Sequence, residues 1–121
     1  MDLNVTRHDG YIVARPGSNL DETTRKSFRD QLHPLFAIRG TRLIVDLSDS
    51  TRINSAGMGD LVALVADANT NDSRVILCNL RPYVAMVVSV TKLDKFFEIA
   101  ENVEEAVARA REPRQGVGAG K

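Results

Sequence analysis

Residues 42–64 read RLIVDLSDSTRINSAGMGDLVAL, and the fold turns on how this stretch is parsed. Its first part, Arg42–Leu47, is almost continuously apolar and β-branched, the pattern of a strand buried on both faces of a sheet. Its last part sets Leu61, Val62, Leu64, Val65 and, just beyond, Ala68 at helical spacing. Between them the hinge Asn54-Ser55-Ala56-Gly57 puts one hydroxyl where a strand hands over to a helix. Strand, hinge and amphipathic helix make the first part of a β-α-β unit, so the flanking segments decide whether a parallel sheet is built around it.

Upstream, the β-prone runs LNVTRH (3–8) and YIVAR (11–15) flank Asp9-Gly10, a strong hairpin signal. A turn, Pro16-Gly17-Ser18-Asn19, leads into a segment with Phe28, Leu32, Leu35 and Phe36 at i, i+4, i+7 and i+8, which predicts a helix. Asp21 and Glu22 at its start suit the positive end of the helix dipole, and Pro34 should kink or interrupt its last turn. Downstream, the helix after the hinge should end near Asn69-Thr70-Asn71, and Arg74–Leu80 reads as a second buried strand. Pro82 opens a third helix with Val84, Val87 and Val88 inward, which Lys92-Leu93-Asp94 breaks. A short strand over 96–99 and a helix over 101–111, carrying Val103, Ala106, Val107 and Ala110, close the pattern. The order β-β-α-β-α-β-α-β-α predicts an α/β domain over 1–111. Its single mixed, mostly parallel sheet would have an N-terminal antiparallel edge strand and about four helices. From Glu112 the Pro/Gly-rich EPRQGVGAGK has no apolar period, and 112–121 is expected to be a disordered tail.

Composition narrows the function. The 121 residues fit one domain, and a hydrophobic fraction of 43% is enough for a sizeable core. Sixteen basic residues balance sixteen acidic ones, which argues against nucleic acid or an anionic membrane as partner. A lone Cys78 excludes an internal disulfide and reads as a small core hydrophobe. No apolar run approaches the ~20 residues of a membrane span, and the polar start MDLNVTRHDG does not resemble a secretory leader. A soluble cytoplasmic domain is the expectation.

The chemistry of the hinge is informative by what it lacks. A nucleophilic serine needs a base positioned by a carboxylate, yet the chain has only His8 and His33, and Ile53 stands where a nucleophile elbow needs its first glycine. Two isolated histidines and scattered carboxylates form no metal-ligand spacing, and no phosphate-binding loop motif is present. Asp46 and Asp49 read as a strand end and the turn after it. What remains is the physics of a helix start, where free N–H groups and a partial positive charge favour an anion. A phosphate on Ser55 would add about −1.5 to −2 charges where the dipole tolerates them, while confronting any docked partner with a bulky dianion. Gly57 and Gly59 would let another protein approach the hydroxyl closely, at about 1 kcal/mol of helix stability each. The plain alternative is that Ser55 is an N-cap and the glycines permit close packing.

In the order and spacing of its motifs the chain resembles the STAS domain family, in particular the bacterial anti-sigma factor antagonists. The resemblance runs over residues 1–110, through GSNLDETT, LIVDLS, INSAGMGDL, RVILCNLRP and FFEIAENVEEAV. Asp46-Leu47-Ser48 and then Ser55, Ala56, Gly57 and Gly59 match the family hinge, with Met58 in place of its leucine. The resemblance implies that Ser55 is phosphorylated by an anti-sigma factor of the histidine-kinase-like ATPase type. The unphosphorylated chain would bind that kinase and free a sigma factor, and a metal-dependent, PP2C-type serine phosphatase would restore binding. ATP and magnesium would belong to the kinase, leaving this chain without cofactor, metal or catalysis of its own. Asp21, Asn54, Ser55, Ala56, Gly57, Met58 and Gly59 would form the partner surface. One departure stands out: Asn54 occupies the position where the family has aspartate, keeping the acceptor but losing the charge and gaining two donors. That substitution adds weight to a second reading, a STAS interaction module that is not phosphorylated and serves another signalling or transport complex, beside the first.

Overall fold

The computed structural model describes residues 3–112; the rest of the expected tail, 113–121, lies outside the described residues. Five strands form the main sheet: β1 (Leu3–His8), β2 (Tyr11–Pro16), β4 (Arg42–Asp46), β6 (Arg74–Cys78) and β7 (Glu98–Ala100). Their spatial order is β1-β2-β4-β6-β7, with β1 antiparallel to β2 and every later pairing parallel. This is the mixed, mostly parallel sheet with an antiparallel edge strand that the motif order predicts. Gly10, at φ 90°, makes the turn that sets His8 opposite Tyr11, a backbone state that costs glycine little.

The four helices are α1 (Thr24–Gln31), α2 (Ser55–Thr70), α3 (Pro82–Val90) and α4 (Val103–Ala110). Strand periodicity divides the core into two layers. Leu43, Val45, Val75 and Leu77 point to one face, where Phe28, Leu32, Leu61, Leu64, Val84 and Val88 of the first three helical segments cover them. Ile44, Ile76 and Cys78 point to the other face, under Ala106 and Ala110 of α4. The small alanines let this single helix lie close to the sheet.

Several boundaries move. Pro34 ends α1 outright, and the chain continues as a 3-10 turn over His33–Ala37. The final strand lies at Glu98–Ala100 rather than 96–99, after a second 3-10 turn (Leu93–Lys95) that Lys92 enters at φ 64°. Two short strands were not legible as such: β3 (Asn19–Leu20) and β5 (Arg52–Ile53) pair in parallel as a separate two-stranded sheet. Two residues carry no period, so pattern reading had nothing to detect. This small pairing nevertheless positions the hinge.

Candidate functional site

The register Leu20↔Ile53 brings the two chain segments that follow these strands side by side, Asp21–Thr23 and Asn54–Ala56. The Asn54 N–H extends the pairing by donating to the Leu20 carbonyl at 3.1 Å. Asn54 itself is extended (φ −116°, ψ −175°) and caps α2: its side-chain oxygen accepts from the Gly57 N–H at 3.0 Å. Ser55 is therefore the first helical residue and not the cap, which corrects the N-cap alternative. Asparagine fills the role one residue earlier, and the exposed Ser55 hydroxyl makes no hydrogen bond among the described residues. The first turn of α2 carries no acidic residue, so the orphan N–H groups and positive dipole end have no anionic side chain of their own turn.

The two glycines prove to be different objects. A Cβ on Gly57 would stand 2.0 Å from the Leu20 carbonyl oxygen, so only glycine lets α2 start this close to β3. A Cβ on Gly59 would meet nothing within 4 Å, and Gly59 is exposed. Met58 turns inward, 7% exposed, and Ala56 is half-buried. Of the seven residues expected to form the partner surface, Asn54, Ser55 and Gly59 are thus the exposed ones on the hinge, while Gly57 and Met58 hold it from below.

Asp21 lies across from the hinge but is occupied locally. Its carboxylate accepts from the Thr23 hydroxyl at 2.6 Å and from the Thr23 N–H at 2.9 Å. These bonds, the hydroxyl first, hold its carboxyl below the usual value. Its own N–H donates to Thr24 Oγ1, so Asp21 shapes the entry to α1. Glu22, to which the sequence assigned only a helix-dipole role, reaches the hinge instead: Asn54 Nδ2 donates to Glu22 Oε2 at 3.1 Å. The acidic pair in LDETT was the available signal, but nothing in it distinguished which carboxylate would reach Asn54. Asp60 is drawn inside, 7% exposed, with Oδ1 3.5 Å from Arg25 Nε, while Arg52 is exposed beside the hinge.

No hydrolase constellation assembles around Ser55 among the described residues. His33 Nδ1 lies 2.7 Å from Asp67 Oδ2 at the opposite end of α2. Asp67 lies twelve positions along the helix from Ser55, about 18 Å at the α-helical rise. His8 stacks on Tyr11 and contacts Thr6 Oγ1. Asp46 is structural, accepting from Ser48 N–H and Asn79 Nδ2, both at 3.0 Å, and Asp49 pairs with Arg15 on the surface. Burial, with Asp46 adding to it, pushes the Cys78 thiol up to about 12, which leaves it a core group rather than a nucleophile. No group of three or more His, Cys, Asp or Glu suited to a metal is found among the described residues, and no helix there is long and apolar enough to cross a membrane. On α3, Tyr83, Met86 and Val90 are exposed at i, i+3 and i+7.

Known proteins agree with this architecture. BtrV of Bordetella bronchiseptica, which carries the name of an anti-sigma factor antagonist, is 22% identical over 108 residues, 89% of this chain and 93% of BtrV. A STAS domain protein from Planctomyces limnophilus superposes with a TM-score of 0.81 at 19% identity, covering 93% of this chain and 100% of that one. The anti-sigma factor antagonist SpoIIAA in its unphosphorylated form gives a TM-score of 0.69, also at 19% identity, over 93% and 100% of the two chains. At these identities the structures speak for the fold, which is that of the anti-sigma factor antagonists. The family model described as STAS domain matches residues 2–106, nearly the whole described chain. By that match, which spans the sheet and all but the end of the last helix, this chain belongs to the STAS domain family.

Proposed function

We propose that the chain is an anti-sigma factor antagonist whose unphosphorylated form binds an anti-sigma factor kinase and thereby frees a sigma factor. Phosphorylation of Ser55 ends the binding, and a serine phosphatase restores it. One observation carries the reading: an exposed hydroxyl without a hydrogen-bond partner among the described residues stands at a helix start that Asn54 already caps. Modifying it breaks no cap and leaves the fold closed. In the transfer, Ser55 Oγ forms the new bond to the γ-phosphorus of a nucleoside triphosphate held by the kinase. The bond from that phosphorus to the bridging oxygen breaks, the diphosphate leaves, and the hydroxyl proton passes to the kinase. The added charge, about −1.5 to −2, sits favourably against the helix dipole but unfavourably beneath a docked protein. One physical switch therefore separates stability from binding.

Incubation with ATP, magnesium and lysate of the source organism, read by intact mass, tests this directly. A single phosphate is expected on the parent chain and none on Ser55→Ala. Ser55→Ala should retain the kinase, while Ser55→Asp should bind it at least about tenfold less, the equivalent of 1.4 kcal/mol. Equal retention of one partner by both variants would favour the second reading, an interaction module without a phosphorylation switch, for which the neutral Asn54 speaks.

A further inference from the structure

We infer that Glu22 is a positioning and specificity residue of the Ser55 site: through Asn54 it holds a carboxylate beside the hydroxyl, and the partner meets that carboxylate with a cationic side chain. The inference rests on the reading of Ser55 as the phosphate acceptor. Three observations converge on it. The β3–β5 register and the Asn54 N–H bond to Leu20 fix the loop after β3 against the start of α2. Within that loop, Asp21 is closed onto Thr23, whereas Glu22 is exposed and points its Oε2 at Asn54 Nδ2, 3.1 Å away. The Asn54 amide is used at both ends, its oxygen on Gly57 N–H and its nitrogen on Glu22. Only one orientation of the amide satisfies both, so the cap and the Glu22 contact are made together.

The charge logic follows from the residue types. An aspartate at 54 could cap Gly57, but it would face Glu22 with a like charge at hydrogen-bond distance. Asparagine at 54 and glutamate at 22 are a matched pair, in which the carboxylate beside Ser55 comes from the opposite loop instead of from the cap. Because the first turn of α2 holds no acid, and Asp21 is turned onto Thr23, Glu22 is the carboxylate that reaches the cap of this helix end from across the gap. Arg25 is turned toward Asp60, 3.5 Å from its Oδ1, and does not cancel it at the hinge. A kinase approaching Ser55 would therefore be selected for a lysine or arginine opposite Glu22. Once Ser55 carries phosphate, that same carboxylate adds like-charge repulsion, and the Asn54 amide becomes a donor for which two anions compete.

The test moves the charge without removing the hydrogen bond. Parent, Glu22→Gln, and the exchanged pair Glu22→Gln with Asn54→Asp are incubated with ATP, magnesium and lysate, and phosphorylation rates are read by intact mass at low and high salt. Thermal melts confirm that each chain is folded. Glu22→Gln should slow phosphorylation on the order of tenfold at low salt, the exchanged pair should recover most of it, and the difference should shrink at high salt. A purely structural contact would not be rescued by relocating the charge. Equal rates for parent and Glu22→Gln, or a folded exchanged pair that stays slow, overturn the proposal while leaving the Ser55 reading intact. Absence of phosphate on the parent chain overturns the Ser55 reading, and this proposal with it.

Discussion

Two helices of this domain begin on an asparagine cap, and they are finished in opposite ways. At α4, Asn102 accepts from the Glu105 N–H at 2.8 Å, and the Glu105 carboxylate returns to the Glu101 N–H. Glu104 and Glu105 both lie in that first turn, so the positive end of α4 is neutralised by its own residues. At α2 the cap is the same, but the residue in the place of Glu105 is Gly57, no acid occupies the first turn, and Ser55 stands exposed. The first is a self-contained helix start. The second leaves its electrostatics unfinished, and the carboxylate that bonds to its cap residue, Glu22, is supplied from another loop. An element built only for stability resembles α4; the start of α2 gives up such contributions where a phosphate and a partner would need the space.

The contrast can be broken by mutation, beginning with the largest effect. Gly57→Ala drives a Cβ into the Leu20 backbone, which cannot yield as a side-chain tip could, and should destabilise by about 3 kcal/mol in chemical denaturation. A near-neutral result would mean that the hinge is not tightly seated on β3. Next, Asn54→Ala and Asn102→Ala should each cost about 1 kcal/mol as lost caps. Only the former should impair kinase capture in a pull-down, and matching binding losses would erase the distinction between the two starts. Gly59→Ala should move the other way, raising stability by roughly 0.5–1 kcal/mol because the added methyl meets open space and alanine favours the helix. If Gly59 is kept for close approach, the same variant should bind the kinase more weakly, a divergence that melting and calorimetric binding read together.

The smallest effect is expected at α4. The Glu101 N–H, and after it the Arg109 guanidinium, hold the Glu105 carboxyl below the usual 4.5. A depressed folded pKa contributes stability above about 4.5 that is lost as pH falls through the lowered value. Glu105→Gln should therefore trail the parent slightly near neutral pH and converge with it in acid. A gap that persists at low pH would point to shape rather than charge.

The buried strands Arg42–Asp46 and Arg74–Cys78 were readable because β-branched apolar runs bounded by polar turns have few other uses. Pro82 and Pro34 marked a helix start and a helix end for a local steric reason. Ser55 was readable as a candidate because its neighbours are small and its position between strand and helix is electrostatically special. Its exact place was not. Ser55 and Asn54 are both good caps, and only the φ/ψ of the built hinge shows which one bonds to Gly57.

By itself, then, the sequence determined the α/β order, the buried central strands and the hinge as the chemically distinctive segment, because these follow from periodicity and local propensity. Tertiary structure alone decided that Gly57 is a packing glycine and Gly59 a surface one, since the difference lies in Leu20, thirty-seven residues before Gly57. It alone decided that Glu22 rather than Asp21 faces Asn54, through a two-residue strand pairing too short to leave a pattern. Contacts between segments far apart in the chain depend on register and distance, and neither is written in the order of residues along either segment.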